Sequence, residues 1–231
     1  MLLLMKDIPV ELQPIQVIRR LHLERLPEPE GTARDLIRRV LALAQPRAVY
    51  RAVPVDSRGE GWIRAGGVRL GSTVLARHTR GTDRVYPYVV TLGPGIEEAA
   101  SASTDLLEQF CLHEVGNLVL TRAEEAARER VARAVGAGEL YSLRPGALAD
   151  WPLTGQGPLF RLLGGVEAEV GVRLTESFLM IPRKSVSGIW FASDEAFVSC
   201  RLCGQDRCPD RRARFDPEAA GEMRQPPRPN P

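Results

Sequence analysis

Apolar positions recur at helical spacing at Leu36, Ile37, Val40, Leu41 and Ala44, which predicts a one-faced helix over 32–45 with Thr32 as its cap and Asp35 three residues on. After Pro46 the period drops to two, at Val49, Arg51, Val53 and Val55, and predicts a strand. Trp62, Ile63, Val68 and Leu70 flank Gly66-Gly67 as the arms of a tight hairpin. A further strand is predicted over 85–92, closed by Gly93-Pro94-Gly95, after which a Glu-, Ala- and Ser-rich stretch reads as helix. Residues 105–135 read as one long helix, with Asp105 and Glu108 at its start and Glu124 four residues before Arg128. Gly116 inside it costs about 1 kcal/mol relative to alanine, so close packing is expected there, and Gly136 and Gly138 stop the helix.

Arg144-Pro145-Gly146 and Asp150-Trp151-Pro152 make a rigid loop with the residue types of a binding surface, followed by a short helix over 156–163. Residues 176–181 and 185–192 read as two strands of one hairpin through Pro182-Arg183-Lys184. The fold class is therefore α+β, an antiparallel twisted sheet with long helices. The chain divides into an N-terminal segment 1–32, an α+β domain 33–216 that includes a Cys-rich segment 199–212, and a tail 217–231. That tail carries Pro217, Pro226, Pro227, Pro229 and Pro231 with few apolar partners, and is expected to be disordered.

Composition narrows the function class. The 231 residues are 44% hydrophobic and 26% charged, enough to bury a sizeable core. Thirty-one Lys and Arg against 29 Asp and Glu leave a net charge of +2, too near balance for the sustained positive field of a nucleic-acid binder. The apolar run Met1 to Met5 stops at Lys6-Asp7, too short for a signal segment or a membrane span, so a cytoplasmic protein with neither nucleic-acid nor membrane partners is expected. No phosphate-cradling loop, dinucleotide turn, helical zinc-protease motif or nucleophile elbow is present. His22, His78 and His113 are scattered and nominate no base, while Glu97, Glu98, Glu124, Glu125 and Glu129 read as a solvated helical face.

Cys200, Cys203 and Cys208 form C-x2-C-x4-C. A two-residue gap lets both thiolates of a turn converge on one centre, and soft thiolates suit zinc or a [4Fe-4S] cluster. Three ligands are one short of a closed zinc site, with Cys111 or His113 the available fourth. Arg207, Arg211, Arg212 and Arg214 crowd the segment and favour the thiolate form. The alternative is three reduced thiols beside a basic turn.

The run Gly171 to Phe191, GVRLTESFLMIPRKSVSGIWF, closely resembles the signature of the activation domain of cobalamin-dependent methionine synthase, particularly its short stand-alone relatives. Asp150-Trp151-Pro152-Leu153 with Gln156 and Leu159-Phe160, Pro46 to Tyr50, and Val90 to Gly93 are also similar to that family. The resemblance spans residues 33–216. It implies an activation-domain-like fold whose surface meets the corrin of a cobalamin-bearing partner, so that cobalamin oxidised to Co(II) can be reduced and remethylated.

On that resemblance Arg144, Gly146, Glu176, Ser185, Ser187, Gly188 and Trp190 are candidate cofactor contacts, with the Ser-Val-Ser-Gly run facing the ring. As apolar strand residues Met180 and Trp190 also read as core. Relatives that bind S-adenosylmethionine have an Arg three residues before the Pro-Gly pair and a Tyr after it, where this chain has Ser142 and Ala147. The ligand-binding Glu position is Thr121, and Trp190 replaces a Tyr. A charged partner lost from such a site costs about 2–5 kcal/mol, which counts against S-adenosylmethionine binding.

The reading is an accessory protein that docks on a corrinoid methyltransferase partner and supports reductive reactivation of Co(II) cobalamin, through its own iron-sulfur cluster or with an electron-donor protein. The alternatives are S-adenosylmethionine-dependent remethylation of cobalamin, which would make it an enzyme, or a structural zinc scaffold.

Overall fold

A computed structural model describes residues 1–224; residues 225–231 lie outside the described part. In chain order the elements are β1 (Leu3–Met5), α1 (Pro14–Leu21), α2 (Pro29–Leu43), β2 (Arg47–Tyr50), β3 (Val53–Gly59), β4 (Trp62–Ala65), β5 (Val68–Gly71), α3 (Thr73–His78), β6 (Arg84–Thr91), α4 (Gly95–Ala102) and α5 (Leu106–Val135). There follow β7 (Tyr141–Leu143), α6 (Gln156–Leu163), α7 (Val166–Val170), β8 (Arg173–Leu174), β9 (Met180–Ile181), β10 (Ser185–Phe191) and α8 (Pro217–Arg224). Eight strands form one curled antiparallel sheet, β1-β2-β6-β3-β4-β5, with β10 on the other edge of β6 and β7 beyond β10. The expected α+β class with antiparallel sheet and long helices is what the chain adopts.

Alternation along β6 explains the two-sided core. Tyr86, Tyr88 and Val90 join Trp190 against α1, α2, α4 and α5, while Val85 and Val89 join Ile189 and Phe191 against α3, α6 and α7. A strand covered on both faces needs apolar residues at every position, which is why 85–92 reads as a near-continuous apolar run. Met5, Ile8, Leu12, Val17 and Ile18 belong to the first core and β1 pairs with β2, so the segment 1–32 is built into the same fold rather than preceding it.

Helix α5 follows the sequence closely. Asp105 caps it by accepting from the Leu107 N–H at 2.8 Å, and Gly136, at φ 67°, closes it in the left-handed conformation. Close packing at Gly116 is also observed: a Cβ there would meet Lys184 Cε at 3.2 Å and Ile96 Cγ2 at 3.3 Å. The stem of Lys184 crosses this glycine and places Nζ 2.7 Å from Asn117 Oδ1. The Gly66-Gly67 hairpin forms as expected, both residues at positive φ, and α6 has the expected bounds.

Four expectations are corrected. Helix α2 begins at Pro29, with fixed φ suited to the first turn, and Thr32 lies inside it with its hydroxyl on the Glu28 carbonyl. The alternating stretch 49–55 is broken at Arg51-Ala52 into β2 and β3, which pair with successive halves of β6. No hairpin joins 176–181 to 185–192: β9 pairs with β8, and β10 is claimed on both edges by β6 and β7. The expected disordered tail opens as helix α8, with Ala220 buried and Met223 packed on the second core; the rest of that expectation falls on 225–231, outside the described residues.

Candidate functional site

The polar centre of the molecule sits where α5 crosses β10, β6 and β7. Glu124 on α5 is 1% exposed, and both carboxylate oxygens are engaged. Oε1 accepts the Trp190 indole N–H at 2.7 Å and Oε2 accepts an Arg144 guanidinium N–H at 2.9 Å. Arg128, one turn along the helix, brings its Nε to 3.9 Å from Oε1 and donates to the Leu140 carbonyl. Arg144 Nε also donates to Tyr88 Oη at 3.2 Å, and Tyr88 Oη lies 2.8 Å from Ser142 Oγ. Tyr88 and Trp190 stack at 3.9 Å between centroids and 7° between planes. A buried carboxylate therefore has a cation, an indole donor and a second cation around it, as a charge removed from water requires.

Burial and the Glu124 carboxylate push the Tyr88 phenol up to about 12, against the lowering pull of Arg144. Burial disfavours the Arg144 charge, but Tyr88 and Glu124 outweigh it and raise the guanidinium above its ordinary value. A phenol raised from 10.0 to about 12 keeps its proton better folded than unfolded, so its contribution is complete below pH 10 and lost as pH climbs through the folded value. We predict that unfolding free energy drops by about 3 kcal/mol between those two limits, two units at about 1.4 kcal/mol each. Tyr88→Phe should flatten that alkaline slope in urea titrations; an unchanged slope would assign it to other groups.

The structure distributes the expected site residues unevenly. Arg144 and Trp190 meet at Glu124. Gly146, at φ 84°, donates its N–H to the Trp151 carbonyl at 2.7 Å and shapes the loop before α6. In that loop Trp151 is fully buried and Asp150 accepts from the Thr73 and Val74 N–H groups at the start of α3, so neither presents a binding surface. Glu176 lies exposed in the turn between β8 and β9.

Ser185, Ser187, Gly188 and Trp190 are all buried within β10. Ser185 donates its one hydroxyl proton to the Pro182 carbonyl at 2.7 Å with Thr91 Oγ1 2.9 Å away, and Ser187 donates to Gln156 Oε1 at 3.3 Å. A Cβ on Gly188 would fall 2.6 Å from the Leu143 carbonyl oxygen and 2.9 Å from Tyr88 Oη. The Ser-Val-Ser-Gly run expected to face a corrin ring is strand paired along one edge with β6, with Ser185, Ser187 and Gly188 buried and Val186 half-buried, so it offers no open face to a ring.

Glu124 was missed because it sits in a run of alternating charges that reads as a solvated face. The available signal was its place three residues before Ala127 and seven before Val131, on the buried stripe of α5.

The cysteine segment is anchored rather than free. Arg211 donates to the carbonyls of Cys200 at 3.1 Å, Cys203 and Ala213 at 3.2 Å, and Gln205. Arg212 pairs with Glu125 at 3.1 Å and Asp210 with Arg20 at 2.5 Å, tying the loop to α5 and α1. Cys200, Cys203 and Cys208 are half-exposed free thiols. Among the described residues no three His, Cys, Asp or Glu side chains are gathered to hold a metal, and neither Cys111 nor His113 joins the thiols as a fourth donor.

Comparison with known proteins bears on this frame. Residues 145–215 match the family model described as the vitamin B12 dependent methionine synthase activation domain. A crystal structure of the MetH reactivation domain bound to AdoHcy aligns with a TM-score of 0.62 over 86% of this chain and 80% of that one, at 18% identity. This is the methionine synthase activation-domain fold. Among curated proteins none matches the chain. The activation-domain match covers the loop after β7, the β8–β9 turn, β10 and the cysteine segment, and so contains every expected contact residue except Arg144. No helix of the described residues is long and apolar enough to cross a membrane.

Proposed function

We propose that this chain is an accessory of a cobalamin-dependent methyltransferase system, docking on the corrinoid-bearing partner and supporting reductive reactivation of Co(II) cobalamin. The observation that carries the reading is the activation-domain match over 145–215 on a matching fold. Because β10 is interior, the partner-facing part of that segment is its exposed turn: Glu176, Leu179 at 55% exposure, Ile181 and Arg183. These residues offer an apolar tip flanked by charge, suited to the rim of a protein-held macrocycle. The iron-sulfur or zinc route suggested by the cysteine spacing forms no step of this proposal, since the three thiols do not converge on a centre. An electron-donor protein or a low-potential reductant supplies the electron instead.

The relative that binds AdoHcy raises the same ligand, and S-adenosylmethionine, for this chain. The residues here do not fit it. Glu124, one turn from Thr121, has both oxygens spent on Arg144 and Trp190, and Ser142 Oγ is taken by Tyr88. A ligand ammonium or carboxylate would have to break that network without a replacement partner. Titration calorimetry should accordingly show saturable binding to a Co(II) corrinoid protein and none to S-adenosylmethionine or AdoHcy up to about 1 mM. Micromolar affinity for either small ligand would favour the remethylating enzyme; absence of corrinoid-protein binding would defeat the proposal.

A further inference from the structure

Cys200 and Cys203 lie in consecutive i to i+3 turns: the N–H groups of Arg201, Leu202 and Cys203 donate to the carbonyls of Val198, Ser199 and Cys200 at 3.0, 3.0 and 3.3 Å. In such a turn side chains three apart eclipse one another, and the two Cα atoms fall within about 7 Å. A disulfide needs Cα atoms roughly 4.4–6.8 Å apart, so this backbone can close one without unfolding. The Arg211 guanidinium, collecting the carbonyls of Cys200, Cys203 and Gln205, holds the turn in shape. Cys200 is half-exposed and its Sγ accepts the Arg212 N–H at 3.4 Å, whereas Cys203 packs against the second core, so Cys200 is the thiol an incoming disulfide reaches first. Cys111 stands apart on α5, its thiol pushed up by burial.

We propose that Cys200 and Cys203 are a thiol–disulfide exchange pair for an external disulfide, with Cys200 attacking and Cys203 resolving. The Cys200 thiolate attacks one sulfur of the incoming disulfide, forming a mixed disulfide and expelling one thiolate. The Cys203 thiolate then attacks Cys200 Sγ, forming the Cys200–Cys203 bond and expelling the second thiolate. The chain loses two electrons, the external disulfide gains them, and the two protons end on the released thiols. The inference stands independently of the cobalamin reading.

The test uses the reduced full chain incubated with oxidised glutathione, quenched with maleimide and mapped by mass spectrometry. Thiols titratable in denaturant should fall from four to two, with Cys200 and Cys203 in one linked peptide. Cys203→Ser, or Cys203→Ala should the serine variant not fold, should retain one glutathione on Cys200, and Cys208→Ser should close the bridge as the unaltered chain does. Four surviving thiols, a bridge to Cys208 or Cys111, or stoichiometric zinc or iron that blocks labelling of the three thiols would overturn the proposal.

Discussion

Glu124→Ala is expected to remove about 3–5 kcal/mol of stability, the cost of breaking a buried ion pair by deleting one partner. The lost carboxylate leaves the Arg144 guanidinium without its counter-charge, the Trp190 indole N–H without an acceptor, and Arg128 beside an empty space. Tyr88 feels the change too, since its ring stacks on Trp190 and its hydroxyl accepts from Arg144. Glu124→Gln keeps the shape but offers one acceptor where two donors converge, so its loss should be smaller than that of the alanine variant. Urea unfolding followed by tryptophan emission reads both numbers. A loss below about 1 kcal/mol for Glu124→Ala would mean that the carboxylate is solvated and the network unimportant.

Gly188→Ala is the second large effect, at about 3 kcal/mol, the upper end of the cost of overpacking. The added methyl meets a backbone oxygen, that of Leu143 at 2.6 Å, on the strand paired with β10, so no rotamer change relieves it. β7 must separate from β10, or Tyr88 must leave its stack. Gly138→Ala is the control: a Cβ there meets nothing within 4 Å, and thermal melts should separate the two variants by about 6–12 °C, at about 2–4 °C per kcal/mol, only if the β7–β10 contact is as close as described. Equal melting temperatures would contradict the register of this edge.

Legibility followed the range of the interactions. Helix α6 was readable because Pro152 and Gly164 bracket a short amphipathic run, and the Gly66-Gly67 hairpin because two consecutive positive-φ residues leave few other turns. Both are decided locally. The partners of β10 were not readable, because a strand chooses its neighbours through contacts far along the chain: Ser187 pairs with Val89 and Ile189 with Leu143. Proximity in sequence suggested Met180–Ile181 instead, which found Arg173–Leu174.

At the candidate site the same distinction holds. Arg144 and Trp190 could be singled out from the sequence, but their shared partner Glu124 lies 20 and 66 residues away, and its burial depends on the angle at which α5 crosses the sheet. The Ser-Val-Ser-Gly run carried the family resemblance correctly and its placement wrongly. A signature can mark interior residues whose packing defines a fold, here a glycine with no room for a methyl and two buried serines, Ser185 bonded to the Pro182 carbonyl and Ser187 to Gln156, as readily as a contact surface.

The most direct test of the reactivation role is the rate at which a low-potential reductant converts a Co(II) corrinoid protein to its reduced form, followed in the visible spectrum as this chain is added. The account predicts a rate that rises and saturates with chain concentration, and that falls back when the exposed Leu179 and Ile181 are both changed to Asp. A rate and a Co(II) spectrum unchanged by a molar excess of the folded chain would contradict it.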